Sequence, residues 1–148
     1  MLCRLPDLLR THRSQLKAEW LRLLKARPPI SPMGLPEILR HRMDDTLTEL
    51  TTFLRNPPAA RWLERSPDCM EQLRQLCRCG LNPLLDYYLT GCDALQAILG
   101  PGLIESEKRL LEHAWHQLAQ HEIEALCGVC CRCAPVPDLT EPAPRATV

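Results

Sequence analysis

The chain has 148 residues, 45% hydrophobic and 24% charged, which is enough to bury a core in one domain without covalent staples and too apolar for general disorder. Its eighteen Lys and Arg residues balance eighteen Asp and Glu, so the molecule as a whole has no field to gather a polyanion, and neither nucleic acid nor an anionic membrane is an expected partner. Uncharged runs such as "ALQAILGPGLI" from Ala94 to Ile104 fall short of the roughly 20 apolar residues that span a bilayer, and "MLCRLPDLLRTHR" meets Arg4, Pro6 and Asp7 too early for a secretory signal.

Cytoplasmic placement is therefore expected, and with it reduced thiols for the nine cysteines. A disulfide scaffold is disfavoured, leaving metal binding, redox chemistry and plain packing as their competing uses. The charges are unevenly placed: residues 1–65 carry twelve Lys/Arg against seven Asp/Glu, and residues 66–148 carry six against eleven.

Apolar residues recur at helical spacing in five segments, with proline or glycine between them, which predicts an all-α fold. The first helix runs from Pro6 to Ala26, with Leu9, Leu16, Trp20, Leu23 and Leu24 as its stripe and "RPPISP" as its stop. The second begins near Leu35, with Pro36 in its first turn, and continues through Ile38, Leu39, Met43, Leu47, Leu50 and Leu54 to "NPP". A short helical piece, "AARWLER", precedes a third main helix capped by Ser66, with Met70, Leu73, Leu76 and Cys77 on its apolar face and a stop at Gly80. Asn82 and Pro83 open the fourth, from Pro83 to Leu99, with Leu84, Leu85, Tyr88, Leu89, Cys92, Leu95 and Leu99 as its stripe, and "GPG" closes it. Gly91 weakens its middle by about 1 kcal/mol relative to alanine unless a neighbouring backbone packs closely there. The fifth spans Leu103 to Cys127, with Gly128 as its stop. Short connections favour antiparallel neighbours, so the expected fold is a five-helix up-and-down bundle over residues 1–133, with a disordered proline-rich tail at 134–148.

In such a bundle the odd-numbered helices run parallel. The ends of the third, "CRCG" at 77–80, and of the fifth, "CGVCCRC" at 127–133, then share one pole. Zinc or an iron-sulfur cluster takes about four thiolates, and the preferred set is Cys77, Cys79, Cys127 and Cys130, with Cys131 and Cys133 as substitutes. The competing reading is that Cys77 faces the core and the others are semi-exposed thiols. A thioredoxin-like role for "CGVC" is disfavoured because the motif follows a helix C-terminus, whose dipole opposes a thiolate. Haem attachment fails because Cys131, not histidine, follows Cys130.

His113, His116 and His121 cluster on the fifth helix, with His113 and His121 two turns apart near Glu124, a candidate pH-sensitive or metal-binding face that competes with plain solvation. Trp20, Trp62 and Trp115 read as packing residues. "LCRCGLNPLLDYYL" mimics a helix-turn-helix, but its second helix has Asp86 and Asp93 and no Lys or Arg, so phosphate would repel it. No Gly-rich phosphate loop, HExxH or GxSxG occurs, and an enzyme is not expected.

From "LLRTHRSQLKAEWLRLL" through "GLPEILRHRMDDTLTELTTFLRNPP", the first half resembles the helical N-terminal sensor modules of bacterial stressosome co-antagonist proteins and of some sensor kinases. The shared features are a Trp20-centred first helix, a proline-bearing loop and a second helix of repeated leucines. The resemblance implies a non-catalytic bacterial regulatory module that relays a signal through protein-protein contacts and often forms a homodimer. In that family a signalling domain normally follows; here a proline-rich stretch does, and the cysteine segments lie outside the family pattern. A small metal-carrying or iron-sulfur redox protein is the alternative function.

Overall fold

A computed structural model describes residues 4–28, 35–56 and 82–129. The predicted helix at 66–79, the "AARWLER" piece, Trp62 and the tail at 134–148 lie outside the described residues. Those described are almost wholly helical, with no strand among them. They form α1 (Leu5–Thr11), α2 (Arg13–Lys25), α3 (Pro36–Leu39), a 3₁₀ turn (Arg40–Arg42), α4 (Met43–Arg55), α5 (Pro83–Ile98), a second 3₁₀ turn (Gly100–Gly102) and α6 (Glu105–Val129).

The first predicted helix is in fact two. His12, at φ −101° and ψ 12°, leaves helical geometry, yet its amide still donates to the Leu8 carbonyl at 2.9 Å and its carbonyl still accepts from Leu16 at 2.9 Å. The rod jogs without ending, so Leu5, Leu9, Leu16, Trp20 and Leu24 are all buried on one side. A similar adjustment at Arg40–Arg42 divides the second predicted helix. The fifth starts two residues later than expected and continues through Gly128 to Val129, so Gly128 does not end it.

Cross-helix bonds fix the directions. Asn82, capping α5, bonds to Cys127 late in α6, while Gln96 near the end of α5 bonds to Glu112; these two helices are antiparallel. Arg42 pairs with Glu122 and Phe53 lies against His113, so α4 is also antiparallel to α6. Consequently α4 and α5 run in the same sense. Arg4, just before α1, clamps Glu107 at 2.8 and 2.9 Å and the Gly102 carbonyl at 2.6 Å, which joins the beginnings of α1 and α6. At the end of α2, Arg27 reaches Asp86 in the first turn of α5 at 2.7 Å. Among the described residues the most extensive helix contact is between α2 and α5.

Helix α5 is the most enclosed of these elements. Leu84, Tyr87, Tyr88, Leu89, Thr90, Gly91, Cys92, Ala94 and Leu95 are all buried, as expected of a helix that is apolar on most of its circumference. Its lack of Lys and Arg is consistent with this position. Gly91 is the point of closest approach: a Cβ there would collide with the Trp115 indole and come within 2.8 Å of Trp20 Cε2. The glycine admits two indole side chains, not the neighbouring backbone that the sequence suggests. Both rings are held in register, because Trp20 Nε1 donates to the Tyr87 carbonyl at 2.8 Å and Trp115 Nε1 to the Tyr88 carbonyl at 2.9 Å. The ring centroids of Trp20 and Trp115 lie 5.3 Å apart in an edge-to-face arrangement, a favoured geometry for aromatic pairs.

Candidate functional site

The pole at which α5 begins and α6 ends is organised by one buried side chain. Asn82 is followed by a proline that is pre-set for a helix's first turn, and its Oδ1 accepts from the Leu84 amide at 2.9 Å, the ordinary work of an N-cap. Its Nδ2 faces the other way. It donates to the Ile123 carbonyl at 3.1 Å and to Cys127 Sγ at 3.1 Å. Asn82 is only 5% exposed, so both ends of a buried amide are satisfied by two helices that are distant in sequence.

Sequence reasoning assigns Asn82 only to the cap, because the Asn-Pro signal is local and carries no information about residues 45 positions on. Cys127 is half-buried in the last turns of α6. Its sulfur also adjoins the N-cap of α5. Of the sequence-predicted ligands, Cys127 alone is described; Cys77, Cys79, Cys130, Cys131 and Cys133 lie outside the described residues. Among the described residues, no group of three or more His, Cys, Asp or Glu side chains is arranged to hold a metal ion.

Beside this pole runs an open groove of about 310 Å³, lined by Ile38, Leu39, Pro83, Leu84, Ala125 and Leu126. The pair Arg42–Glu122, at 2.9 Å, also lines it. Ile38 is 49% exposed, which places a large apolar side chain at the groove's edge. A second depression, of about 360 Å³, is bordered by Lys17, Arg40, His41 and Asp44. Asp44 receives both Lys17 and Arg13, at 2.8 and 2.9 Å, and the bonds from these cations hold its carboxyl below the usual range.

The chain matches no family model, no curated protein and no solved structure.

The histidine face differs from its expected form. His121 is exposed, while His113 lies 6.1 Å from Phe53, centroid to centroid. His116 is partly buried, and its Nδ1 is enclosed without a hydrogen-bond partner. Burial lowers the pKa of both His113 and His116, and the proximity of His113 lowers that of His116 further. The pair that shares an environment is thus His113 and His116, both favoured as neutral imidazoles at pH 7, and not His113 and His121. Deeper in the core, the Tyr87 hydroxyl meets Thr46 Oγ1 at 2.7 Å. Burial raises both Tyr87 and Tyr88 far above the ordinary phenol value, which makes them structural groups at any physiological pH. Among the described residues no helix is long and apolar enough to cross a membrane.

Proposed function

We propose that this protein is a non-catalytic cytoplasmic regulatory module of the bacterial sensor type. It acts through contacts with a protein partner or a second copy of itself, and a cysteine site that binds zinc or senses redox state lies at one pole of a five-helix up-and-down bundle. The observation that carries this reading is the bond from Asn82 to Cys127. Cys79 is three residues before Asn82, and Cys130 is three residues after Cys127. With about 3.8 Å between successive Cα atoms, each lies within about 11 Å of its described neighbour, whatever path the chain takes. Cys79 and Cys130 are thereby tethered near the Asn82–Cys127 contact, and the proposed ligand set is Cys77, Cys79, Cys127 and Cys130, with Cys131 and Cys133 as substitutes.

The chemistry of the pole suits such a site. Sulfur ligands are oriented and stabilised by hydrogen bonds from outside the coordination sphere, and the Asn82 amide supplies one to Cys127. The negative end of α6 favours a cation and the positive end of α5 favours a thiolate. The likeness of the first half to stressosome sensor modules supports the regulatory part of the reading.

Metal analysis of full-length protein purified anaerobically tests it. About one zinc per chain, removable by chelator with a fall in Tm, is the expected result. A brown chromophore would move the assignment to a small iron-sulfur redox carrier. Metal-free protein with nine titratable thiols whose Tm and oligomeric state do not respond to mild oxidation would refute both the zinc and the redox-sensing forms.

A further inference from the structure

We propose that the depression between α2 and the Arg40–Arg42 turn is a binding site for a small phosphate-type oxyanion, held by Lys17, Arg40 and His41.

The chain path supplies the first argument. The rod made of α3 and α4 is interrupted by the 3₁₀ turn Arg40–Arg42, and a 3₁₀ stretch inside a helical run often marks a functional position. All three side chains of this turn are guanidinium or imidazole groups, and none of them is buried. Two of them, Arg40 and His41, border the depression of about 360 Å³, and Lys17 borders it from α2. Arg13, the first residue after the jog at His12, and Lys17, one turn further on, both hold Asp44 in the first turn of α4. The two interrupted rods are thus tied together at the depression itself.

The second argument is the charge left over. Asp44 is the one carboxylate that lines the depression among the described residues, and it is already met by Lys17 at 2.8 Å and Arg13 at 2.9 Å. Arg13 is committed to α4, since it also donates to the Asp44 carbonyl at 2.7 Å and to Thr48 Oγ1 at 3.1 Å. Lys17 uses one of its ammonium's three N–H donors on Asp44 Oδ2. Arg40 meets Glu37 at 3.6 Å with both side chains at least half exposed, a surface pair of the kind that contributes little and yields to a doubly charged anion. Arg13, Lys17 and Arg40 therefore stand against Asp44 and Glu37 with positive charge in excess, and His41 adds a ring N–H.

A guanidinium fork beside an ammonium suits the oxygens of a phosphate. Because Asp44 pre-positions Lys17, the ordering cost of binding falls. Ala18, Leu21 and Met43 form the apolar remainder of the wall, and the volume is in the range of small-molecule sites. The proposal goes beyond the zinc or redox reading and does not rest on it.

Calorimetric titration of the full-length protein is the test, with reductant and chelator present so that metal has no part in it, and with chloride holding the ionic strength and its screening constant. Inorganic phosphate, pyrophosphate and glycerol phosphate are the probes. Saturable, equimolar binding is expected, tightest for the inorganic anions if the natural ligand is a free anion and for glycerol phosphate if it is a phosphoryl group on an organic molecule. Lys17→Gln and Arg40→Gln are each expected to weaken that binding by about tenfold or more, while Lys25→Gln, an exposed change at the end of α2, leaves it unaltered. Should Lys17→Gln lose its fold together with the Asp44 pair, Arg40→Gln carries the test, because the Arg40 side chain is 50% exposed. No saturable binding of any of the three probes, or the same affinity in Arg40→Gln as in the parent, would overturn the proposal.

Discussion

Gly91→Ala sets two large effects against each other. Alanine in the middle of an exposed helix is favoured over glycine by about 1 kcal/mol, so propensity alone makes the substitution stabilising. At position 91, however, the added Cβ would overlap the Trp115 ring and come within 2.8 Å of Trp20 Cε2. Overpacking of this kind costs about 1–3 kcal/mol. Neither indole can retreat freely, because each donates a buried hydrogen bond to the carbonyl of Tyr87 or Tyr88, and loss of such a bond adds about 1 kcal/mol or more. The steric term therefore wins, with a net destabilisation of about 2 kcal/mol, or a fall in Tm of about 4–8 °C for a chain of this size. Thermal melts followed by circular dichroism measure this, and near-ultraviolet spectra report whether the two tryptophans have shifted. Gly102→Ala, where an added Cβ meets nothing within 4 Å, serves as the control and should change Tm by no more than about 2 °C. A Gly91→Ala protein as stable as the parent would refute the close approach of the two indoles.

Two further substitutions examine the polar groups of the interior. Thr46→Val keeps the shape but strands the buried Tyr87 hydroxyl, now 2.7 Å from Thr46 Oγ1; a cost of about 1–3 kcal/mol is expected in urea unfolding, and Thr46→Val combined with Tyr87→Phe should recover much of it. For His113 and His116, burial depresses the folded-state pKa, so the unfolded chain takes up protons that the folded chain resists. Their contribution is complete above the unfolded value of about 6.5 and is lost as pH falls through and below it. His116→Gln should flatten the decline of Tm between pH 7 and 5; an unaltered slope would show that His116 is not the group concerned.

Much of the helical pattern is legible in the residues themselves. Asn-Pro at 82–83 and "GPG" at 100–102 bracket α5, since both signals act on the backbone they belong to. The jog at His12 is not legible, because the stripe Leu9, Leu16, Trp20 passes through it with its period intact and the amide-carbonyl bonds continue across it. Gly91 announces a close contact, but its partners are rings from two other helices, and only the assembled packing identifies them. Tyr87 is absent from the stripe predicted for α5, yet it is fully enclosed. Amphipathic reasoning expects a solvent side, and little of α5 has one. Spacing nominates the cysteine cluster as a site. The contact made to Cys127, its one described member, comes from an asparagine whose sequence context describes only a cap.

Asn82→Asp separates the two roles of that residue. A carboxylate retains the cap, accepting from the Leu84 amide as Asn82 Oδ1 does at 2.9 Å, and aspartate is as good an N-cap as asparagine in an exposed helix. It cannot donate, so the Ile123 carbonyl and Cys127 Sγ, each 3.1 Å from the present Nδ2, would face a negative oxygen. Capping alone predicts no loss of stability. The clamp predicts a loss of about 2–4 kcal/mol at pH 7, from the two missing donations and a buried charge set against the Ile123 carbonyl, which can only accept. Because repulsion and burial raise the folded-state pKa of the new carboxyl above its unfolded value of about 3.9, protonation restores a donor. The deficit relative to the parent protein should therefore narrow as pH falls through the raised value. Parallel Tm measurements on the two proteins from pH 7 to 4.5 provide the comparison, with reductant and chelator present throughout. Equal stability at pH 7 would reduce Asn82 to a cap, and the proposed joining of the two cysteine-bearing segments would lose its physical basis.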